Sequence, residues 1–181
     1  MVSSLWHPAT VTDREPAGGG LTRIHLVLPA EVAASHDTPG QYVEVRAKGE
    51  TGYFVLSSDP GSSPWELVMR DGGGASDVLL VMPLPGAIEV TAAIGTGFPM
   101  RDVSGRELLV ALGGTGIAAG PPLMRRRIGD GDARLTRVWV GAQFSQFSSE
   151  KNSRHKVGIL HYMSDMSAAR GRGRECIWQQ R

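Results

Sequence analysis

Cysteine is almost absent: Cys176 is the single one in 181 residues. One thiol forms no internal disulfide, and an iron–sulfur cluster needs several thiolates, so the chain holds no such cluster on its own cysteines. No apolar run approaches the ~20 residues that span a bilayer, so no helical membrane span is expected. The opening Met1–Pro8 lacks a basic stretch followed by an apolar one and does not read as a secretion signal. These absences point to a cytoplasmic chain. An excess of one charge is also missing: the formal net charge is +1, which gives the whole molecule no bias toward nucleic acid. The five histidines, His7, His25, His36, His155 and His161, show no metal-ligand spacing. No Ser-His-Asp or Cys-His set can be read.

What is present is a globular composition, 41% apolar, with 24 glycines gathered in a few clusters. Residues 9–100 read as β structure. Leu21–Leu28 and Tyr42–Arg46 alternate apolar and polar, as half-buried strands do. Tyr53–Leu56, Trp65–Met69 and Ile88–Val90 follow, bounded by Gly, Pro or Ser, and a short helix fits Ser76–Met82. Short strands at this spacing predict an antiparallel barrel of six-stranded type. The pattern changes near residue 105. Glu107–Leu112 is a continuous apolar run of the buried parallel type, followed by Gly113–Gly116. A helix over Ile117–Ile128 must take Pro121 and Pro122 in its first turn, and Arg137–Ala142 reads as a second buried strand. Strand, glycine turn, helix and strand make one βαβ unit. The expected division is therefore a barrel over 1–102 and a small, truncated parallel α/β domain over 103–181. Val157–Tyr162 fits one more strand, and Arg125–Arg127 fits a solvated helix end. From Lys151 onward the chain is net +5, against net −4 before it.

Three runs carry chemistry. Gly113, Gly114, Thr115 and Gly116 sit between a buried strand and a helix. Backbone there can approach a phosphate, and helix N–H groups can receive it. The spacing is not Gly-x-Gly-x-x-Gly, and a tight turn with glycines for packing explains it as well. Gly72, Gly73 and Gly74 lead into Ala75 and Ser76. Successive glycine N–H groups make an anion-binding concavity, with Ser76 as N-cap or phosphate donor; a hairpin turn and capped helix is the competing account. Tyr53, with Val55, Ser57 and Ser58 after it, could stack on a flat ring while a hydroxyl bonds its edge, or could be an ordinary strand.

Taken in order, these runs resemble the ferredoxin–NADP reductase superfamily. Pro39-Gly40-Gln41-Tyr42, Tyr53–Pro60, Gly72–Ser76, Gly95-Thr96-Gly97-Phe98-Pro99, Leu109–Ala118 and Val138–Ala142 each match a family segment in the family's order. The resemblance implies FAD or FMN held by Tyr53, Val55, Ser57, Ser58 and Gly72–Ser76, and NAD(P)H docked on Gly113–Gly116. There are departures. Thr51 stands where the family has its flavin-phosphate arginine, a loss worth ~1.5–3 kcal/mol of affinity. Phe54 replaces a Ser or Thr, Ala119-Gly120-Pro121 interrupts the usual Ala-Pro, and the late Cys-Gly-Pro strand is missing.

The implied function is an oxidoreductase that moves electrons between NAD(P)H, a flavin and a separate redox partner. The alternative is a non-catalytic, reductase-like binding or assembly subunit that has lost flavin. A sheet with few helices should leave a face or edge bare. That predicts a homodimer or a partner subunit joined through residues 105–165.

Overall fold

The computed structural model describes residues 5–144 and 156–162, with side chains for 5–141. The basic end and Cys176 lie outside the described residues.

The strands between His7 and Val90 form one antiparallel sheet. Its strands are β1 (His7–Gly18), β2 (Leu21–Val27), β3 (Tyr42–Ala47), β4 (Glu50–Val55), β5 (Trp65–Met69) and β6 (Gly86–Val90), in the spatial order β4-β3-β6-β1-β2-β5. The outer strands meet through a bridge between Leu56 and Leu67, which closes the sheet into a barrel. Period-two alternation puts Ile24 and Leu26, Val43 and Val45, Trp65 and Leu67, and Ile88 and Val90 inside. Each such side chain contributes roughly 1.5–3 kcal/mol by leaving water. One strand escapes a reading of alternation. β1 contains Pro8 and Pro16, yet lies between β6 and β2. Pro8 pairs near the strand's start, opposite Glu89, and Pro16 falls at a register shift, positions where a missing N–H is tolerated.

Two family-like segments prove to be one interlocked unit. Phe98 N donates to Pro39 O at 2.7 Å, and Gln41 Nε2 donates to Gly95 O at 3.0 Å. Gly97 has φ +66°, and a Cβ there would sit 2.7 Å from Pro39 O, so no larger residue fits. Two short helical turns, α1 (Ala30–Ala33) and α3 (Met100–Val103), lie outside the sheet. Helix α2 (Ala75–Val81) supplies Leu79 to the barrel core. Arg14 donates to the carbonyls of Leu79 and Met82 at its C-terminal end.

The second sheet has β7 (Leu108–Gly113), β8 (Thr136–Phe144) and β9 (Lys156–Tyr162), in that order. β7 and β8 are parallel in register, as expected; β9 is present but antiparallel to β8. The helix after β7 is not continuous. A 3-10 turn covers Gly114–Ala119, and α4 (Gly120–Gly129) begins with Pro121 and Pro122 in its first turn. The interrupted Ala119-Gly120-Pro121 has a packing reason: a Cβ on Gly120 would meet Leu112 Cδ1 at 2.5 Å. Val110, Leu123 and Val138 form this sheet's small core. Leu109 and Trp139 point to its other face, 61% and 44% exposed.

The arginine triplet at the end of α4 corrects the expectation of a solvated turn. Arg126 pairs with Asp130 in solvent, but Arg127 is fully buried. Its guanidinium donates to Thr136 Oγ1 at 2.9 Å, Asp132 Oδ2 at 2.9 Å, Val103 O at 2.6 Å and Arg106 O at 2.8 Å. A helix position three residues from Met124 faces the same sheet, and there the guanidinium ties the segment entering β7 to the segment entering β8.

Candidate functional site

Strand β4 organises the site. It pairs with β3 in the register Tyr42–Val55, Glu44–Tyr53 and Arg46–Thr51. Opposed residues share a face, so Tyr42, Tyr53 and Val55 lie on the outer face while Val43 and Val45 fill the core. Tyr53 is 68% exposed. Its ring meets that of Tyr42 edge-on, with centroids 5.9 Å apart and planes at 73°. Tyr42, Tyr53, Phe54 and Val55 line a cleft of 420 Å³. The Phe54 side chain packs against the barrel core and over Gly52.

The two serines sit differently. Ser57 is buried, and its hydroxyl donates to Glu66 O at 3.0 Å, so that group closes the barrel. Ser58 is also buried, and its Oγ has no hydrogen-bond partner among the described residues.

The Gly72–Ser76 loop abuts the start of β4. A Cβ on Gly74 would lie 3.5 Å from Thr51 O, and Ala75 meets Gly52. The concavity expected from successive glycine N–H groups is formed, but it is filled from within. Gly72 N and Gly73 N both donate to Asp77 Oδ1 at 3.0 Å. Those two donors hold the Asp77 carboxyl below the usual carboxylate range. Ser76 is not the cap: Gly74 holds that position, and the Ser76 hydroxyl donates to Gly73 O at 2.8 Å. Asp77 escapes a reading of the motif alone, although an acid three residues after the cap is a recognised partner for free N–H groups.

Gly113, Gly114, Thr115 and Gly116 are all exposed at the C-terminal end of β7. The 3-10 turn that follows Gly113 packs against β4 and β5 as well as its own sheet. Gly114 adopts φ +54°, which a side chain rarely takes; Gly116 has open space around its Cα. The Tyr53 run thus lies on β4, the Gly72–Ser76 loop abuts it, and the 3-10 turn Gly114–Ala119, which carries Gly114, Thr115 and Gly116, approaches it. Among the described residues no cluster of His, Cys, Asp or Glu has metal-binding geometry, and no helix is long and apolar enough to cross a membrane.

No protein-family model matches the chain. A curated relative, the electron transfer subunit of dihydroorotate dehydrogenase B (NAD(+)) from Shouchella clausii (strain KSM-K16), is 29% identical over 122 residues. The match takes in 62% of this chain and 46% of that protein, so the chain spans about half the relative's length. Among solved structures, a cytochrome P450 reductase from Amycolatopsis superposes with a TM-score of 0.66 at 23% identity, over 80% of this chain and 46% of that one. Phthalate dioxygenase reductase superposes with a TM-score of 0.62 at 17% identity, over 74% and 42%. The ferredoxin-NADP+ reductase of Plasmodium falciparum does so with a TM-score of 0.61 at 11% identity, over 77% and 60%. A six-stranded barrel closed by the Leu56–Leu67 bridge, followed by a parallel strand–turn–helix–strand unit, gives this chain the fold of the ferredoxin–NADP reductase superfamily that its motifs resemble.

Proposed function

We propose that the chain is a flavin-dependent electron-transfer protein, in which NAD(P)H reduces a flavin that then passes electrons to a separate protein. The observation that carries this is the gathering of an exposed tyrosine cleft, a glycine N–H concavity and a βα glycine turn around one strand, β4. In this reading residues 1–102 form the flavin domain and 103–181 the nucleotide domain. The flavin ring, of FAD or FMN, stacks on Tyr53 in the cleft beside Val55, and NAD(P)H docks on Gly113–Gly116. The ring seat fits in chemistry: Tyr53 offers an exposed aromatic face on which a flat ring can stack. The phosphate seat fits less well. Thr51 brings no charge, and the Asp77 carboxylate already accepts the Gly72 and Gly73 donors. The flavin supplies the redox chemistry when bound; the chain's own residues stack, orient and exclude.

That same Asp77 favours the second reading, a reductase-like binding or assembly subunit without flavin. One titration separates them. Flavin fluorescence should be quenched by the purified chain, and Tyr53→Ala should weaken binding about tenfold, the worth of one good stacking contact. No quenching by the wild-type chain rules out the electron-transfer reading. The electron transfer subunit from Shouchella clausii supports a partner protein by analogy. The exposed Leu109 and Trp139 support association with a partner or a second copy through residues 105–165. A stable 19.3 kDa monomer in sedimentation would exclude self-association.

A further inference from the structure

Arg125 of α4 reaches across to the barrel. Its Nε donates to Asp59 Oδ1, and its Nη2 donates to Ser57 O at 3.2 Å. The two acceptors bracket Ser58, so one guanidinium grips a single loop at two points. That loop is the direct continuation of β4, just beyond the Tyr53–Val55 cleft. Behind Arg125, α4 follows the Gly114–Ala119 turn without a break. The loop is itself rigidly held: Ser57 N and Oγ both donate to Glu66 O, and Gly61 N donates to His36 O.

We infer that Arg125 is a positioning residue, which sets the distance between the Gly113–Gly116 turn and the Tyr53 cleft by clamping α4 to the Ser57–Asp59 loop. The inference rests on the flavin and nucleotide reading above. With both groups bound, the flavin would take a hydride with its electron pair from C4 of the dihydronicotinamide, which would be oxidised as the flavin is reduced, and the chain's own residues would set the distance between them. Such a transfer needs the reacting atoms about 3–3.5 Å apart, and a misplacement near 1 Å costs up to about 100-fold in rate. Stability is not the clamp's main product. Arg125 and Asp59 are each about half exposed, and such pairs contribute little to folding. A planar guanidinium with two donors fixes direction as well as distance, which an ammonium does not.

The test compares the wild-type chain with Arg125→Ala and Arg125→Lys. Flavin affinity is read by fluorescence, flavin reduction by stopped flow with NADH and NADPH, and loop protection by amide hydrogen exchange. Arg125→Ala should bind flavin within about twofold of wild type, yet be reduced about tenfold more slowly at saturating nucleotide. Arg125→Lys, which can keep the Asp59 contact, should recover part of that rate. Exchange should quicken at residues 57–61 and 114–123 in Arg125→Ala, and stay unchanged in β1 to β3. An unchanged limiting rate, or unchanged exchange, overturns the positioning role while the electron-transfer reading stands. Loss of flavin affinity along with the rate also overturns it, because the role is then structural. A wild-type chain that binds no flavin fails the reading itself, and the positioning role with it.

Discussion

Asp77 turns its carboxylate back onto Gly73, accepting the N–H of Gly73 and of Gly72 on one oxygen at 3.0 Å. A side chain of the protein thus occupies the concavity proposed above for a flavin phosphate. Asp77→Ala should therefore tighten binding of FAD or FMN several-fold in a fluorescence titration. Weaker binding in this variant would show that Asp77 orders the loop and does not compete for it. The carboxyl is held below its ordinary value of 3.8 by those two donors. The charged form is thus the one favoured in the fold, and its stabilising contribution is complete above pH 3.8 and is lost as pH falls through the lowered value. At neutral pH the plug is in place.

Gly116 and Gly114 separate two roles of the same turn. Gly114 has φ +54°, so any side chain there strains the backbone. A Cβ on Gly116 would have no atom within 4 Å, so the fold accepts a side chain. Gly116→Val should leave the thermal midpoint unchanged and abolish binding of NADH and NADPH, because the new branches stand where a phosphate would approach. Unaltered nucleotide titration would mean that the turn serves packing alone.

Arg127 and Asp132 form a buried pair at 2.9 Å, and Asp132 also accepts the N–H of Gly105 at 2.8 Å. Removing the guanidinium leaves a buried carboxylate and the carbonyls of Val103 and Arg106 short of donors. Arg127→Leu should cost about 3–5 kcal/mol of stability, the usual penalty for breaking a buried pair from one side. Chemical denaturation measures it. A loss as small as that of a surface variant such as Arg126→Ala would refute the assignment.

His36 is buried edge-on against Trp65, with ring centroids 6.2 Å apart. Burial lowers its pKa from 6.5, against the opposing pull of Asp37, the Thr38 backbone and Asp59. The unfolded chain therefore takes up a proton at a pH where the folded chain does not. Stability is full above pH 6.5 and declines as pH falls below it, toward the lowered value. One proton sets the ceiling of that slope, about 1.4 kcal/mol per pH unit. His36→Gln should flatten it. A slope unchanged by that substitution would assign the acid sensitivity to carboxylates instead.

Period-two alternation was enough to identify β2 and β3, because one face of each strand must leave water wherever the rest of the chain lies, and turn residues on either side bounded β5 and β6. The continuous apolar run before Gly113 likewise declared a parallel strand, although Leu109 on its second face stays exposed, and Pro121–Pro122 fixed the first turn of α4. Local chemistry decides such features, and the sequence is local information. What the tertiary structure alone decided is where each polar group finds its partner. β1, with its two prolines, becomes an interior strand only because β2 and β6 pair with it. Arg125, Arg126 and Arg127 are identical in sequence terms, yet one bridges to the barrel, one meets solvent and one is buried, since a helix turns about 100° per residue. The glycine concavity was legible at Gly72–Gly74, but its occupant was not: whether those N–H groups wait for a phosphate or bond Asp77 depends on the path of the chain into α2.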